Sequence, residues 1–218
     1  MHCSRRVLLL CAAGPSAAQA QAANAAPASK QSTLPRLLVV GDSLSAEYGL
    51  VRGSGWVALL GQRLAREKLS WQVVNASISG DTTSGGRSRL PALLAQHQPQ
   101  VVVIELGGND ALRGLPLKMT EGNLAAMARA AKTSGARVLI AGIAVPPNYG
   151  RSYGDSLVAL FGTVARNEGA ALVPFLLAGV ADAANADDLF QVDRIHPKAE
   201  AQPRMLDNVW PVLRPLLR

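Results

Sequence analysis

The sequence predicts a single three-layer α/β domain built on a central parallel sheet. Two observations predict it. Short apolar runs rich in Val, Leu and Ile recur at roughly thirty-residue spacing, without the polar alternation of a sheet that has one wet face. Helical patterns fill the intervals, and that alternation covers a parallel sheet on both sides. The chain has 218 residues, 49% hydrophobic and 17% charged, which is enough to bury one sizeable core and too apolar for a disordered protein.

The N-terminus reads as a leader rather than as fold. "MHCSRR" is a short basic stretch, "VLLLCAAG" a short apolar one, and "SAAQA" ends at Ala20 with small residues suited to a cleavage site. The apolar stretch is far shorter than the ~20 residues of a membrane-spanning helix. Residues 1–20 are therefore expected to be a signal peptide, and the protein to be exported to the periplasm or secreted. Cys3 and Cys11 are the only cysteines and both lie in that segment. The mature chain would then have no disulfide and no Cys ligand or nucleophile. Residues 21–35, "QAANAAPASKQSTLP", are small and polar and read as a flexible leader. Residues 36–218 are the domain.

Within the domain the expected strands are "RLLVV" (36–40), "WQVVN" (71–75), "VVVIEL" (101–106), "RVLIAGI" (137–143) and "ALVPFL" (171–176). The first helix, over 55–68, places Trp56, Leu59, Leu60 and Leu64 on one face. A second helix over 82–97 is expected to be interrupted by Pro91. A third is expected to start at an N-cap, Thr120, and to stop at Gly135. A fourth spans 156–169 and closes at Gly169. The last, over 198–217, is expected to be broken by Pro203 and Pro211.

Net charge is +7, and it falls to +5 if Arg5 and Arg6 leave with the signal. The remaining cations are scattered and no basic run interleaves with aromatics, so no nucleic-acid partner is expected. A diffuse positive surface allows transient contact with membrane lipids, although a solvated surface explains it as well.

In parallel sheets ligands bind beyond the carboxyl ends of the strands, so the loops after each strand are where chemistry is sought. "GDSLS" puts Ser43 after the first strand, "SISGD" puts Gly80 after the second, and "GGND" puts Asn109 after the third. "DRIHP" places Asp193 three residues before His196. A hydrolytic serine needs a base within hydrogen-bond reach, an acceptor that orients the base, and donors aimed at the developing oxyanion. Of the three histidines, His2 lies in the signal and His97 ends a helix, which leaves His196 as the loop histidine. Each of these residues also has an ordinary structural use. Ser and Asn cap helices, Gly makes turns, and Asp193 can close an Asx-turn. Asp110 can tie its loop down. Leu112, Leu115 and Leu117, which follow Asn109, can line an acyl groove or pack on a helix.

The four blocks together, in this order, resemble the SGNH subgroup of the GDSL-type esterase/lipase family. "VVNASISGDT", "GGNDALRGLP", "PPNYG" and "IHP…AQP" are most similar to its bacterial thioesterase I, lysophospholipase L1 and arylesterase branch. The resemblance runs from about Leu37 to Leu217. It implies a flavodoxin-like α/β/α sandwich with five parallel strands. It implies Ser43 as nucleophile, His196 as general base and acid, and Asp193 as the orienting carboxylate. The oxyanion hole would be the N–H groups of Ser43 and Gly80 and the side-chain amide of Asn109. Arg194 departs from the branch, which often has Gly there, and bears on substrate preference. The substrate expected is a small acyl ester or thioester, medium-chain by preference, with no metal, no cofactor and a monomeric enzyme. Two alternatives stay open: a carbohydrate O-deacetylase of the same family, and a non-catalytic flavodoxin-like binding module.

Overall fold

The computed structural model describes residues 34–218. The expected signal peptide, and the leader up to residue 33, lie outside the described residues.

Strand β1 (Arg36–Gly41) is followed by helix α1 (Trp56–Arg66), β2 (Gln72–Asn75), α2 (Thr83–His97) and β3 (Val101–Glu105). Then come the short α3 (Gly108–Leu112), α4 (Leu117–Thr133), β4 (Arg137–Ala141), α5 (Arg151–Glu168) and β5 (Ala171–Val173). The chain ends through the one-turn α6 (Ala186–Leu189) and α7 (Gln202–Leu213). The five strands form one parallel sheet in the order β2-β1-β3-β4-β5, with Leu38 opposite Val74 on one side and Val102 on the other. The fold is the expected five-stranded α/β/α sandwich.

The central strands β1, β3 and β4 are buried on both faces because their residues are apolar on both, while the edge strand β2 keeps Gln72 and Asn75 exposed. Leu37 to Val40 and Val101 to Ile104 have no exposed surface. Helices α1 and α7 pack together on one face, while α2, α4 and α5 form the other layer. Trp56, Val57, Leu60 and Leu64 are the buried stripe of α1. Each fully buried Leu in such a layer contributes about 1.5–3 kcal/mol over an exposed one.

Several expected boundaries move, each for a local reason. Helix α2 is not interrupted at Pro91. That residue sits on the exposed face, where a missing intrahelical hydrogen bond costs less. Thr120 is not an N-cap. Helix α4 begins three residues earlier, after Pro116, and Thr120 is buried with its hydroxyl donating to Asp110 Oδ1 at 3.2 Å. Helix α5 starts at Arg151, earlier than expected, and ends at Gly169, whose φ of +58° suits glycine. Neither proline breaks α7. Pro203 falls in its first turn, where no N–H partner is needed, and Pro211 is on the exposed side. Strand β5 stops at Val173, because Pro174 has no N–H for the ladder.

The strand order reverses between β1 and β3. The chain runs from β1 to its β2 side, then crosses to the β3 side. A crevice opens at such a switch point, and the residues just after β1 and β3 reach it.

Candidate active site

Ser43 follows β1 in a tight turn, in which Ala46 N–H donates to the Asp42 carbonyl at 2.9 Å. The two serines of the stretch have different surroundings. Ser45 is buried, donating to Glu105 Oε2 at 2.7 Å and accepting from Trp56 Nε1 at 3.2 Å. Ser43 instead lines a cavity beside the sheet edge. Its Oγ lies 2.8 Å from His196 Nε2.

His196 sits in a closed turn. Phe190 and Pro197 bridge in antiparallel fashion, and Gln191 N–H donates to the His196 carbonyl at 2.8 Å. The Asp193 carboxylate organises this turn, accepting from Ile195 N–H and His196 N–H, both at 3.0 Å, through Oδ1. Its Oδ2 lies 2.6 Å from His196 Nδ1. Burial works to raise the Asp193 pKa, but the bonds from the His196 ring and from the two backbone N–H groups outweigh it and hold the pKa at about 2. An ionised carboxylate can only accept, so Nδ1 carries a proton, and in the neutral imidazole this leaves the Nε2 lone pair facing the Ser43 hydroxyl. The ring of Tyr48 packs on the imidazole, with centroids 4.3 Å apart.

Asn109 occupies the first turn of α3, preceded by Gly107 at φ +121°, a conformation suited to glycine. Its Nδ2 donates to Asp42 Oδ2 at 3.0 Å. Asp110 anchors the same turn: buried, it accepts from Thr83 N–H at 2.8 Å and from the Thr83 and Thr120 hydroxyls. Gly80 has φ +79°, and its carbonyl accepts from Arg113 Nη2 at 2.8 Å. It stands outside the cavity wall, whereas Ser43, Asn109 and His196 are part of it. His97 ends α2 away from the cavity, and its backbone carbonyl accepts from Arg36 Nη1 at 2.9 Å.

The cavity measures about 560 Å³ and is mainly apolar. Of the three leucines after Asn109, only Leu112 lines it, and Leu117 packs on the core instead. The wall is completed by Leu44, Ile143, Val145, Phe175 and Leu177, which sequence reasoning did not single out. Their common signal is position, since all but Leu44 follow β4 or β5. Arg194 reaches the same cavity with an exposed guanidinium, 3.8 Å from Asp187.

Two buried carboxyls beneath Ser43 were also not anticipated. Glu105, at the end of β3, is fully buried, with Oε1 unpartnered. Burial, reinforced by the neighbouring Asp42, pushes its pKa well above the usual carboxylate range. Asp42 is buried too, and desolvation raises it to about 6 against the bonds from Leu44 N–H and Asn109. Among the described residues no group of His, Cys, Asp and Glu is arranged to hold a metal, and no helix is long and apolar enough to cross a membrane.

The chain as a whole is similar to known proteins. The GDSL-like Lipase/Acylhydrolase family matches residues 39–203. Esterase TesA of Pseudomonas aeruginosa is 54% identical over 188 residues, 86% of this chain and 92% of that protein. Thioesterase 1/protease 1/lysophospholipase L1 of Escherichia coli strain K12 is 42% identical over 185 residues, 83% of this chain and 84% of that protein. The crystal structure of TesA superimposes with a TM-score of 0.80 at 55% identity, covering 83% of this chain and 99% of that one. The chain is therefore a hydrolytic enzyme rather than the binding module that its sequence left open, and it belongs to the GDSL-like lipase/acylhydrolase family.

Proposed function

We propose that this protein is an exported serine esterase that hydrolyses acyl esters and thioesters through a Ser43–His196–Asp193 triad and an acyl-enzyme. The observation that carries the reading is the continuous chain from Ser43 Oγ to His196 Nε2 at 2.8 Å and from His196 Nδ1 to Asp193 Oδ2 at 2.6 Å. Both distances lie within proton-transfer reach.

In the first half-reaction His196 Nε2 takes the Ser43 proton as Oγ attacks the acyl carbonyl. The resulting imidazolium faces the Asp193 carboxylate, which remains ionised, and is stabilised by it. Negative charge develops on the carbonyl oxygen. Ser43 N–H, Gly80 N–H and Asn109 Nδ2 are assigned as its donors. His196 then protonates the leaving alkoxide or thiolate and the acyl-Ser43 ester remains. Water, deprotonated by His196, releases the acid by the reverse sequence.

The apolar cavity beside Ser43 supports a medium-chain acyl group as the preferred substrate portion, since its volume falls in the range of small-molecule sites. The names of the relatives, esterase and thioesterase 1/lysophospholipase L1, support the same classes of bond. We assign residues 1–20 as a signal peptide, the catalytic unit as a monomer, and contact with lipid surfaces as transient.

The test is labelling with a fluorophosphonate followed by peptide mapping. A single modified residue, Ser43, is expected, and Ser43→Ala should lose on the order of 10⁴–10⁶ in kcat on p-nitrophenyl esters. Ser43→Ala retaining wild-type turnover would overturn the assignment. A chain-length profile peaking at acetyl would instead favour the O-deacetylase.

A further inference from the structure

Ser43 and His196 are 153 positions apart, on two loops that leave the sheet at different strands. Their contact must survive whatever motion the loops have. The turn that carries Asp193 and His196 also touches the Ser43 loop at a second place, Gln191.

Gln191 uses both its backbone and its side chain. Its N–H donates to the His196 carbonyl at 2.8 Å, and its own carbonyl accepts from Arg194 N–H at 2.9 Å, which closes the Asp193–His196 turn. Its side-chain Nε2 crosses to the other loop and donates to the Tyr48 carbonyl at 2.9 Å, with a longer contact of 3.4 Å to the Pro197 carbonyl. Tyr48 in turn lays its ring on His196. Gly49 leaves room for this crossing. Its φ is +70°, and a Cβ there would stand 2.1 Å from Gln191 Oε1. Backbone and space both reserve position 49 for glycine.

We propose that Gln191 is a positioning residue, whose side-chain amide sets the Ser43–His196 distance by tying the Asp193–His196 turn to the Tyr48 carbonyl. The inference rests on the triad reading given above. Gln191 does not line the cavity, so it acts through His196 and not on the substrate. A displacement of ~1 Å between base and nucleophile can cost about 100-fold in rate.

The test uses Gln191→Leu, which keeps the volume and removes the donor, and Gln191→Glu, which faces the carbonyl with a carboxylate. Both are compared with wild type on a short-chain p-nitrophenyl ester. In Gln191→Leu, kcat is expected to fall about 10–100-fold with KM nearly unchanged, and the rate of fluorophosphonate labelling at Ser43 to fall in parallel. The ratio of Gln191→Glu to wild-type kcat is expected to rise as pH falls, because a protonated carboxyl regains a donor. That pH trend is read within folded protein and is not produced by loss of packing. Wild-type labelling rate in Gln191→Leu, a loss confined to KM, or a flat Gln191→Glu ratio would overturn the proposal. Failure of the wild type to label at Ser43 would overturn the triad reading instead.

Discussion

Asn109 Nδ2 donates to Asp42 Oδ2 at 3.0 Å, and that bond decides which end of the amide is presented beside Ser43. A carboxylate has no hydrogen to give, so nitrogen and not oxygen must face it. The second hydrogen on the same nitrogen is then free for an oxyanion. Protonated Asp42 could instead donate to the amide oxygen and let Asn109 turn over. With burial raising Asp42 to about 6, against the bonds from Leu44 N–H and Asn109 and the nearby His196 ring, kcat is expected to decline on the acid side partly through this group. Asp42→Asn should lower kcat about 10-fold or more and remove that ionisation from the pH–rate profile. An identical profile in the variant would contradict this role.

Glu105 makes stability depend on pH in a direction opposite to that of a salt-bridged carboxylate. Its folded pKa is raised, so its contribution is complete below the usual value of 4.5 and is lost as pH rises toward the folded value. Asp42, raised from 3.8 to about 6, adds a slope of the same sign in that window. Urea unfolding at stepped pH should show stability falling as pH climbs from 4.5, and Glu105→Gln should flatten the slope. An unchanged slope in Glu105→Gln would count against a protonated Glu105.

Arg194 holds φ at +56°, in the left-handed region where a Cβ is unfavourable. Its side chain is exposed and meets Asp187 only loosely, so little is lost by removing it. Arg194→Gly is expected to stabilise the fold by about 0.5–1 kcal/mol, less the extra unfolded-state entropy of glycine. A lower unfolding midpoint in the variant would refute the argument.

Val145 is half-buried in the cavity wall. Val145→Trp should fill part of the space and shift the preferred p-nitrophenyl ester to a shorter chain. Each methylene excluded is worth about 1–3 kcal/mol of discrimination. An unaltered chain-length profile would place the acyl group elsewhere.

Asp110 accepts from Thr83 N–H and from two hydroxyls, and Asn123 Nδ2 extends the network by donating to Thr83 Oγ1 at 3.1 Å. Asp110→Ala leaves those buried donors unpartnered and should cost about 3–5 kcal/mol in chemical denaturation. A loss below about 1 kcal/mol would mean that the network relaxes around the vacancy.

Much of this fold is legible in the sequence. Five β-branched, Leu-rich runs without polar alternation are the five strands, within a few residues of where the pattern puts them; β1, β3 and β4 are buried almost throughout, as that pattern implies, whereas the edge strand β2 keeps Gln72 and Asn75 exposed. Helix ends were less legible. Thr120 has the composition of a cap, but its hydroxyl is engaged by Asp110 within the fold. Pro91 and Pro211 read as breaks, yet each falls on an exposed face where a missing hydrogen bond costs less.

The sequence by itself determined the class of fold and the residue types that chemistry needs, because these follow from local pattern and from the order of Ser43, Gly80, Asn109 and His196. Only the tertiary structure decided how they meet. The short contacts of His196, the cavity wall drawn from loops after four different strands, and the upward shifts of Asp42 and Glu105 all depend on groups distant in the chain. Distance and desolvation are properties of packed space, and no spacing along the chain encodes them.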